Sequence, residues 1–324
     1  MIELSIIAPV LNEVEAINPF LDRLNEVLPA ATESFEVIFV DDGSSDGTTQ
    51  KILDRRATDD RVKLLRLSRN YGKEVALTAG LDCAAGAAAV PMDVDLQDPP
   101  ELIPEMMAKW RAGADIVLAR RISRNDDTYF KRFTAAGFYR LLKFIGVTQI
   151  PENVGDFRLL DRKALDGLAQ FPERTRFMKG MFALLGFEQA EVTYERPART
   201  VGAPSQRIRS LLSLALEGVI SFSVAPLRIW SVIGLFTAIM SALYGMFIIL
   251  NALIFGIDVP GYASLITVVL FMNGLILLGL GIIGEYLSRV FTEVKQRPLY
   301  LVRDVQGVEL RRDVSAAKRP ELEK

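Results

Sequence analysis

Two stretches of this chain carry no charge for longer than most soluble folds allow: Ile229 to Phe255 and Tyr262 to Ile283. At ~1.5 Å per helical residue, each reaches across a ~30 Å hydrocarbon core. The connecting "GIDVPG" is short enough to be only a hairpin turn. Arg228 precedes the first run, and Arg289, Lys295 and Arg297 follow the second. The positive-inside rule therefore expects both flanks on the cytoplasmic side. The start, "MIELSIIAPV", lacks a basic region and is interrupted by Pro9, so it reads as a buried strand and not as a signal peptide. The expectation is a chain whose bulk stays in the cytoplasm, with residues 229–290 as two spans (229–255 and 262–287).

The remaining composition narrows the chemistry. The 324 residues contain no histidine and one cysteine, Cys83. Imidazole-based triads and HExxH zinc sites are excluded, as are an internal disulfide and a Cys-based zinc site. Cys83 lies in the small-residue run "GLDCAAGAAA", which suits packing. A formal net charge of −2 offers no global field to attract nucleic acid.

Upstream of the spans, apolar runs at Leu4–Ala8, Phe35–Val40, Val62–Leu67, Ala87–Met92 and Ile116–Ala119 alternate with helix-like stretches. The latter fall around Glu13–Val27, Thr48–Ala57, Glu74–Ala85 and Glu101–Arg111. This alternation predicts an α/β domain with a mostly parallel sheet covered on both faces. Ligands of such sheets bind beyond the carboxyl ends of the strands. There the sequence places "PVLNE", "DDGSSDGT", "SRNYGKE" and "DVDLQD". Some of these acids have a plainer use: Asp46 suits a cap for a helix starting near Thr48. No Gly-x-Gly-x-x-Gly follows a strand. The Gly-Lys pair of "NYGKE" lacks the rest of a P-loop, and "DGSSDG" lacks the final Glu of an EF-hand. In "DVDLQD", an extended backbone would point Asp93 and Asp95 the same way. Paired carboxylates call for a cation, and oxygen ligands of this kind suit Mg²⁺ or Mn²⁺ held together with substrate phosphates. Gln97 adds a carbonyl oxygen.

Between the sheet region and the spans, Arg196, Arg199, Arg207 and Arg209 precede a leucine-rich segment. A basic amphipathic approach suits an interfacial helix near anionic headgroups or a lipid phosphate. A solvated connector is the alternative. Small residues in the second span (Gly274, Gly279, Gly281, Gly284) permit close helix approach and hence a homo-oligomer.

Taken together, "PVLNE", "DDGSSDGT", "RNYGKE", "DVDLQDPPE", "GDFRLLDR" and "ERTRFMKG", followed by two spans ending "GEYLSRV", resemble the polyisoprenyl-phosphate glycosyltransferases of glycosyltransferase family 2. The likeness is strongest to bactoprenol glucosyltransferases of the GtrB type, and dolichol-phosphate mannose synthases are more distant. It extends to about Val302. The resemblance implies a GT-A catalytic domain over residues 1–200, an amphipathic juxtamembrane segment over 201–228, the transmembrane hairpin, and a cytoplasmic tail over 291–324. It implies transfer of a hexose, glucose first among the candidates, from a UDP-sugar to polyisoprenyl phosphate at the cytoplasmic membrane. Mannose, galactose or an N-acetylhexosamine stay open as alternatives.

Carried over by residue, the resemblance puts Pro9, Asn12, Glu13, Asp42, Lys73 and Asp93 at the nucleotide. Asp93, Asp95 and Gln97 serve the metal, and Asp156 matches the acid usually assigned as catalytic base. Arg121, Arg196, Arg199 and Arg207 match phosphate-binding positions. Relatives often carry a lysine where this chain has Ser205, and Arg207, two residues further on, is the expected substitute. Processive polysaccharide synthases share the GT-A domain but use Gln-x-x-Arg-Trp. Gln206 and Arg209 have that spacing, but Ser210 replaces the Trp.

Overall fold

The computed structural model describes residues 2–122, 154–174, 176, 178–194, 224–255 and 261–310. They form two compact units, one around a sheet and one around two long helices.

The sheet unit starts with alternating β/α elements. Strands β1 (Leu4–Val10), β2 (Phe35–Asp41), β3 (Val62–Leu67), β4 (Ala88–Pro91) and β5 (Ile116–Arg121) alternate with helices α1 (Ile17–Val27), α2 (Thr48–Arg56), α3 (Lys73–Cys83) and α4 (Ile103–Arg111). Strand β6 (Val154–Asp161), helices α5 (Arg162–Leu168) and α6 (Met178–Leu184), strand β7 (Gln189–Tyr194) and a late strand β8 (Val302–Gln306) complete it. The eight strands run in the order β7-β5-β6-β4-β1-β2-β3-β8.

Strands β1, β2, β3 and β4 pair in parallel, as do β5 and β7, while β6 and β8 pair antiparallel to their neighbours. The reversal of β6 matters for function. Its register sets Leu118 against Arg158 and Arg120 against Val154, so its first residues reach the rim where β4 and β5 end. Asp156 is delivered to the carboxyl edge by the start of a strand, not by its end.

The core forms on both faces of the sheet. Leu4, Ile6, Ala8 and Val10 of β1 pack with Ile17, Phe20 and Leu24 of α1 and with Met106 and Met107 of α4. On the other face Ile7, Ile38 and Val40 meet Ala76, Leu77 and Ala79 of α3 and Met181 and Phe182 of α6. The small residues of α3 allow a close approach. A Cβ on Gly80 would collide with the side chains of Ile7 and Val40. Cys83 is buried in this layer, and burial pushes its thiol pKa up to about 12, so it packs as an inert apolar group.

Two readings shift. Helix α1 begins at Ile17, not near Glu13, because the N–H groups of Asn12, Glu13 and Val14 bond to Ser44, Thr48 and Asp46, in the β2–α2 loop and at the first residue of α2. Residues 302–306, expected within a tail, form β8 against β3 and extend the sheet.

The second unit contains α7 (Ala225–Phe255) and α8 (Tyr262–Val294). Both are long and apolar enough to cross a membrane. Their large apolar side chains stay exposed, Val232 at 66%, Leu277 at 69% and Leu253 at 78%. Water penalises such a surface at ~25 cal/mol per Å², whereas hydrocarbon does not. Among the four glycines singled out in the second span, Gly279 lies directly against the Trp230 indole of α7, while no atom comes within 4 Å of a Cβ built on the other three. This small residue serves packing within the hairpin.

Candidate active site

The rim is built by loops that bond one another. After β1, the Asn12 backbone adopts φ 56 and its N–H donates to Ser44 Oγ at 2.9 Å. Asn12 Oδ1 accepts from the Ser45 N–H at 2.9 Å, and the Glu13 N–H donates to Thr48 Oγ1 at 2.9 Å. The residue at the cap of α2 is not the expected Asp46 but Gly47, which has no side-chain cap bond; Asp46, one residue earlier, accepts from the Thr48 N–H at 3.0 Å and from the Val14 N–H at 3.3 Å. Its carboxylate thus joins the two loops and closes a local turn before the helix.

Asp42 ties in the third loop. Its carboxylate accepts the N–H groups of Tyr71 at 2.7 Å and Gly72 at 2.8 Å. Burial raises its pKa, and those two N–H groups oppose the shift. Gly43 makes the junction possible. At φ +88, a Cβ there would lie 2.9 Å from the Arg69 carbonyl carbon. With Gly72 also in the positive-φ region, the loop turns sharply and starts α3 at Lys73.

After β4 the chain leaves the strand at Pro91 and turns, with Leu96 at φ 56. Asp93 therefore lies past the end of the strand and Asp95 within the turn that follows, and not both on one extended run. Their convergence has a different origin from strand alternation. Asp95 Oδ1 accepts the Gln97 N–H at 3.0 Å, closing the turn, and Gln97 is buried. Glu13 faces this loop. Its pKa is raised by burial and then by Asp95, Asp93 and Asp46. Four carboxylates from three loops thus create one electronegative basin.

Lys73 crosses the basin. Its Nζ donates to Asp93 Oδ2 at 2.7 Å and lies 3.4 Å from Asp156 Oδ2. Packing of the rim around the half-exposed ammonium lowers its pKa, but Asp93 and Asp156 outweigh this, so the group stands above the ordinary lysine value and remains charged. Asp156 Oδ1 is buried with no hydrogen-bond partner among the described residues. Behind it, Arg158 is buried over the Phe182 ring, 4.1 Å from its centroid, and donates to the Gly155 carbonyl at 2.6 Å. Burial lowers the Arg158 pKa to about 10, with Asp156 and Glu74 opposing the shift. Glu74, next to Lys73, accepts the Met178 N–H at 2.9 Å.

At the other side, Arg121 Nε donates to Tyr194 Oη at 3.3 Å, and Tyr194 Oη donates to the buried Asp98 at 2.8 Å. This chain fixes the arginine at the end of β5.

Among the described residues, no three His, Cys, Asp or Glu side chains cluster as a complete metal cage. The donor set nevertheless fits a divalent ion of the Mg²⁺ or Mn²⁺ type, which is bound by one or two carboxylates plus substrate phosphates. The basin already draws a cation, the Lys73 ammonium, and leaves an Asp156 oxygen without a partner among the described residues.

The fold thus brings Asn12, Glu13, Asp42, Lys73, Asp93, Asp95, Gln97, Arg121 and Asp156 to one rim, with Pro9 in β1 at its base. Arg196, Arg199 and Arg207 lie outside the described residues, as does the juxtamembrane segment up to 223. Sequence reasoning missed Glu74, Asp98 and Tyr194. Only the adjacency of Glu74 to Lys73 offered a signal. Nothing in a single chain links Asp98 to Tyr194.

Residues 5–168 match the family described as Glycosyl transferase family 2. An uncharacterized glycosyltransferase of Synechocystis is 48% identical over 308 residues, 95% of this chain and 97% of the relative. The bactoprenol glucosyl transferase of Shigella phage SfII is 45% identical, covering 93% of this chain and 97% of its own. A prophage bactoprenol glucosyl transferase homolog of Escherichia coli K12 is 44% identical over 94% of this chain and 99% of that one. Among solved structures, glucosyl-3-phosphoglycerate synthase of Mycobacterium tuberculosis, in complex with Mn²⁺, UDP and phosphoglyceric acid, shares 19% identity. It covers 66% of this chain and 75% of its own at a TM-score of 0.46. With its mixed α/β sheet, acidic rim and end-to-end relatives, this chain belongs to glycosyl transferase family 2 and is a glycosyltransferase.

Proposed function

We propose that this enzyme transfers glucose from UDP-glucose to a polyisoprenyl phosphate, undecaprenyl phosphate in a bacterium, with inversion at the anomeric carbon. One observation carries the reading: the 45% identity to a bactoprenol glucosyl transferase spans 93% of this chain, so it runs through both apolar helices as well as the catalytic rim.

The rim residues suggest the division of labour. Asn12, Glu13 and Asp42, with Pro9 beneath, would cradle the uridine, and Lys73 would meet the diphosphate. Asp93 and Asp95 with Gln97 would hold Mg²⁺ or Mn²⁺, which when bound neutralises charge on the departing UDP. Arg121 and the arginines at 196, 199 and 207 would hold the lipid phosphate. A phosphate oxygen of the acceptor attacks the anomeric carbon, the bond to the UDP oxygen breaks, and an α-linked donor gives a β-linked glycolipid.

A phosphate monoester has a second pKa near ~6, so the acceptor is mostly a dianion at neutral pH. Proton removal is not required. Asp156, beside Lys73 and in front of Arg158, is better suited to positioning.

Strand β8 follows α8 in the chain and pairs with β3. If both helices span the bilayer, the chain before the first and after the second lies on the sheet's side. Arg228, Lys295 and Arg297 favour the cytoplasm for that side.

The test uses the full chain in detergent with undecaprenyl phosphate and a panel of radiolabelled UDP-sugars, with and without EDTA. Solvent-extractable, EDTA-sensitive label from UDP-glucose is expected. Label from another sugar alone would reassign the donor. Polymeric product would indicate a processive synthase, and absence of product with every donor would indicate a nucleotide-binding scaffold.

A further inference from the structure

Lys73 lies where a metal ion would also have to act. Asp42 clamps the two N–H groups just before it, so α3 begins at a fixed point and the Lys73 stem extends into the acidic basin. There its ammonium pairs with Asp93, an expected metal ligand, and with Asp156. The lysine side chain is 46% exposed and that of Asp93 39%. Tight burial therefore does not trap the pair, and water can reach it.

A divalent ion bound by Asp93 sits ~2.0–2.2 Å from its oxygen. The ammonium stands 2.7 Å from the same carboxylate. Two cations on one carboxylate lie within ~5 Å of each other, where their repulsion amounts to several kcal/mol even at an effective dielectric of ~20. One has to retreat. The diphosphate of a nucleotide sugar offers the displaced ammonium a new anionic partner. In the absence of that diphosphate, moving Lys73 exchanges its two carboxylate partners for water alone.

We propose that Lys73 is a resident counter-ion that holds the metal-binding carboxylate until the donor arrives, so that the divalent ion and the nucleotide bind as a coupled pair. The proposal rests on the metal reading given above and assigns Lys73 a role before chemistry begins. A lysine that only touched the diphosphate would leave metal binding without nucleotide unaltered. A counter-ion opposes it. By thermodynamic linkage, whatever UDP contributes to metal affinity through Lys73, the metal contributes equally to UDP affinity.

The experiment measures Mn²⁺ binding by electron paramagnetic resonance of the free ion. It uses the detergent-solubilised full chain as wild type, Lys73→Met and Lys73→Gln, each with and without UDP. Thermal melts confirm that the variants are folded. Without UDP, both variants should bind Mn²⁺ about tenfold tighter than wild type. UDP should strengthen Mn²⁺ binding strongly in wild type and several-fold less in the variants. Equal or weaker Mn²⁺ affinity in both variants without UDP overturns the counter-ion role and leaves the metal reading intact. No Mn²⁺ bound by any of the three proteins, even with UDP, overturns both together. Neither readout depends on turnover.

Discussion

The Met178 N–H donates to Glu74 Oε2 at 2.9 Å, joining residues 104 positions apart. It stitches the first turn of α3 to the first turn of α6, beside Asp156. Burial, then the Asp156 charge, raises the Glu74 pKa above its ordinary 4.5. The folded state therefore holds this proton more tightly than the unfolded chain. That stabilisation is complete below the unfolded value and is lost as pH rises through the folded one. Glu74→Gln keeps an acceptor for Met178 without the titration. Its Tm should decline less than that of wild type as pH rises above 4.5. An identical decline would assign the pH dependence to other groups.

A second expectation concerns the turn after β4. Replacing both Asp93 and Asp95 by alanine should abolish glycolipid synthesis while leaving membrane insertion and the circular dichroism spectrum intact, since neither side chain supports the core. Undiminished synthesis in the double variant would refute the proposed metal site.

Asp156→Asn separates positioning from proton transfer. Were Asp156 needed to strip a proton from the acceptor, the variant would recover as pH rises past ~6 and the phosphate ionises by itself. Positioning predicts a low kcat that stays low from pH 6 to 9.

Tyr194 bridges Arg121 and Asp98, so Tyr194→Phe leaves the arginine less fixed. Loss of the hydroxyl should cost about 1–2 kcal/mol of stability, because Asp98 is buried. A rise in KM for the lipid phosphate, with KM for UDP-glucose unchanged, would place Arg121 on the acceptor side.

The alternation of apolar and helical runs made β1 to β5 and their helices legible, because each strand is buried and α1 and α4 present an apolar face to the core. The later strands were not. In β7, "QAEVTY" leaves Gln189, Glu191 and Thr193 exposed, and in β8 "VRDVQ" is charged. Such edge strands lack the hydrophobic run that reveals a central one. In the site, turn residues marked the rim correctly as an acidic edge. The geometry of Asp93 and Asp95 was hidden because Leu96 adopts a left-handed backbone that its identity does not advertise. Lys73 stood in view within "NYGKE", but only the folded loop shows which carboxylates it reaches.

The late strand has a practical corollary. The Ser68 N–H donates to the Leu301 carbonyl at 2.8 Å, Tyr300 Oη donates to Asp82 at 3.2 Å, and β8 runs along β3. The sheet unit is therefore sewn from polypeptide on both flanks of the two apolar helices. Cutting the gene before the first apolar helix would yield a fragment with an unpaired, aggregation-prone border. A version without the apolar helices would instead need a linker leading into Arg297, so that the closing thread is kept.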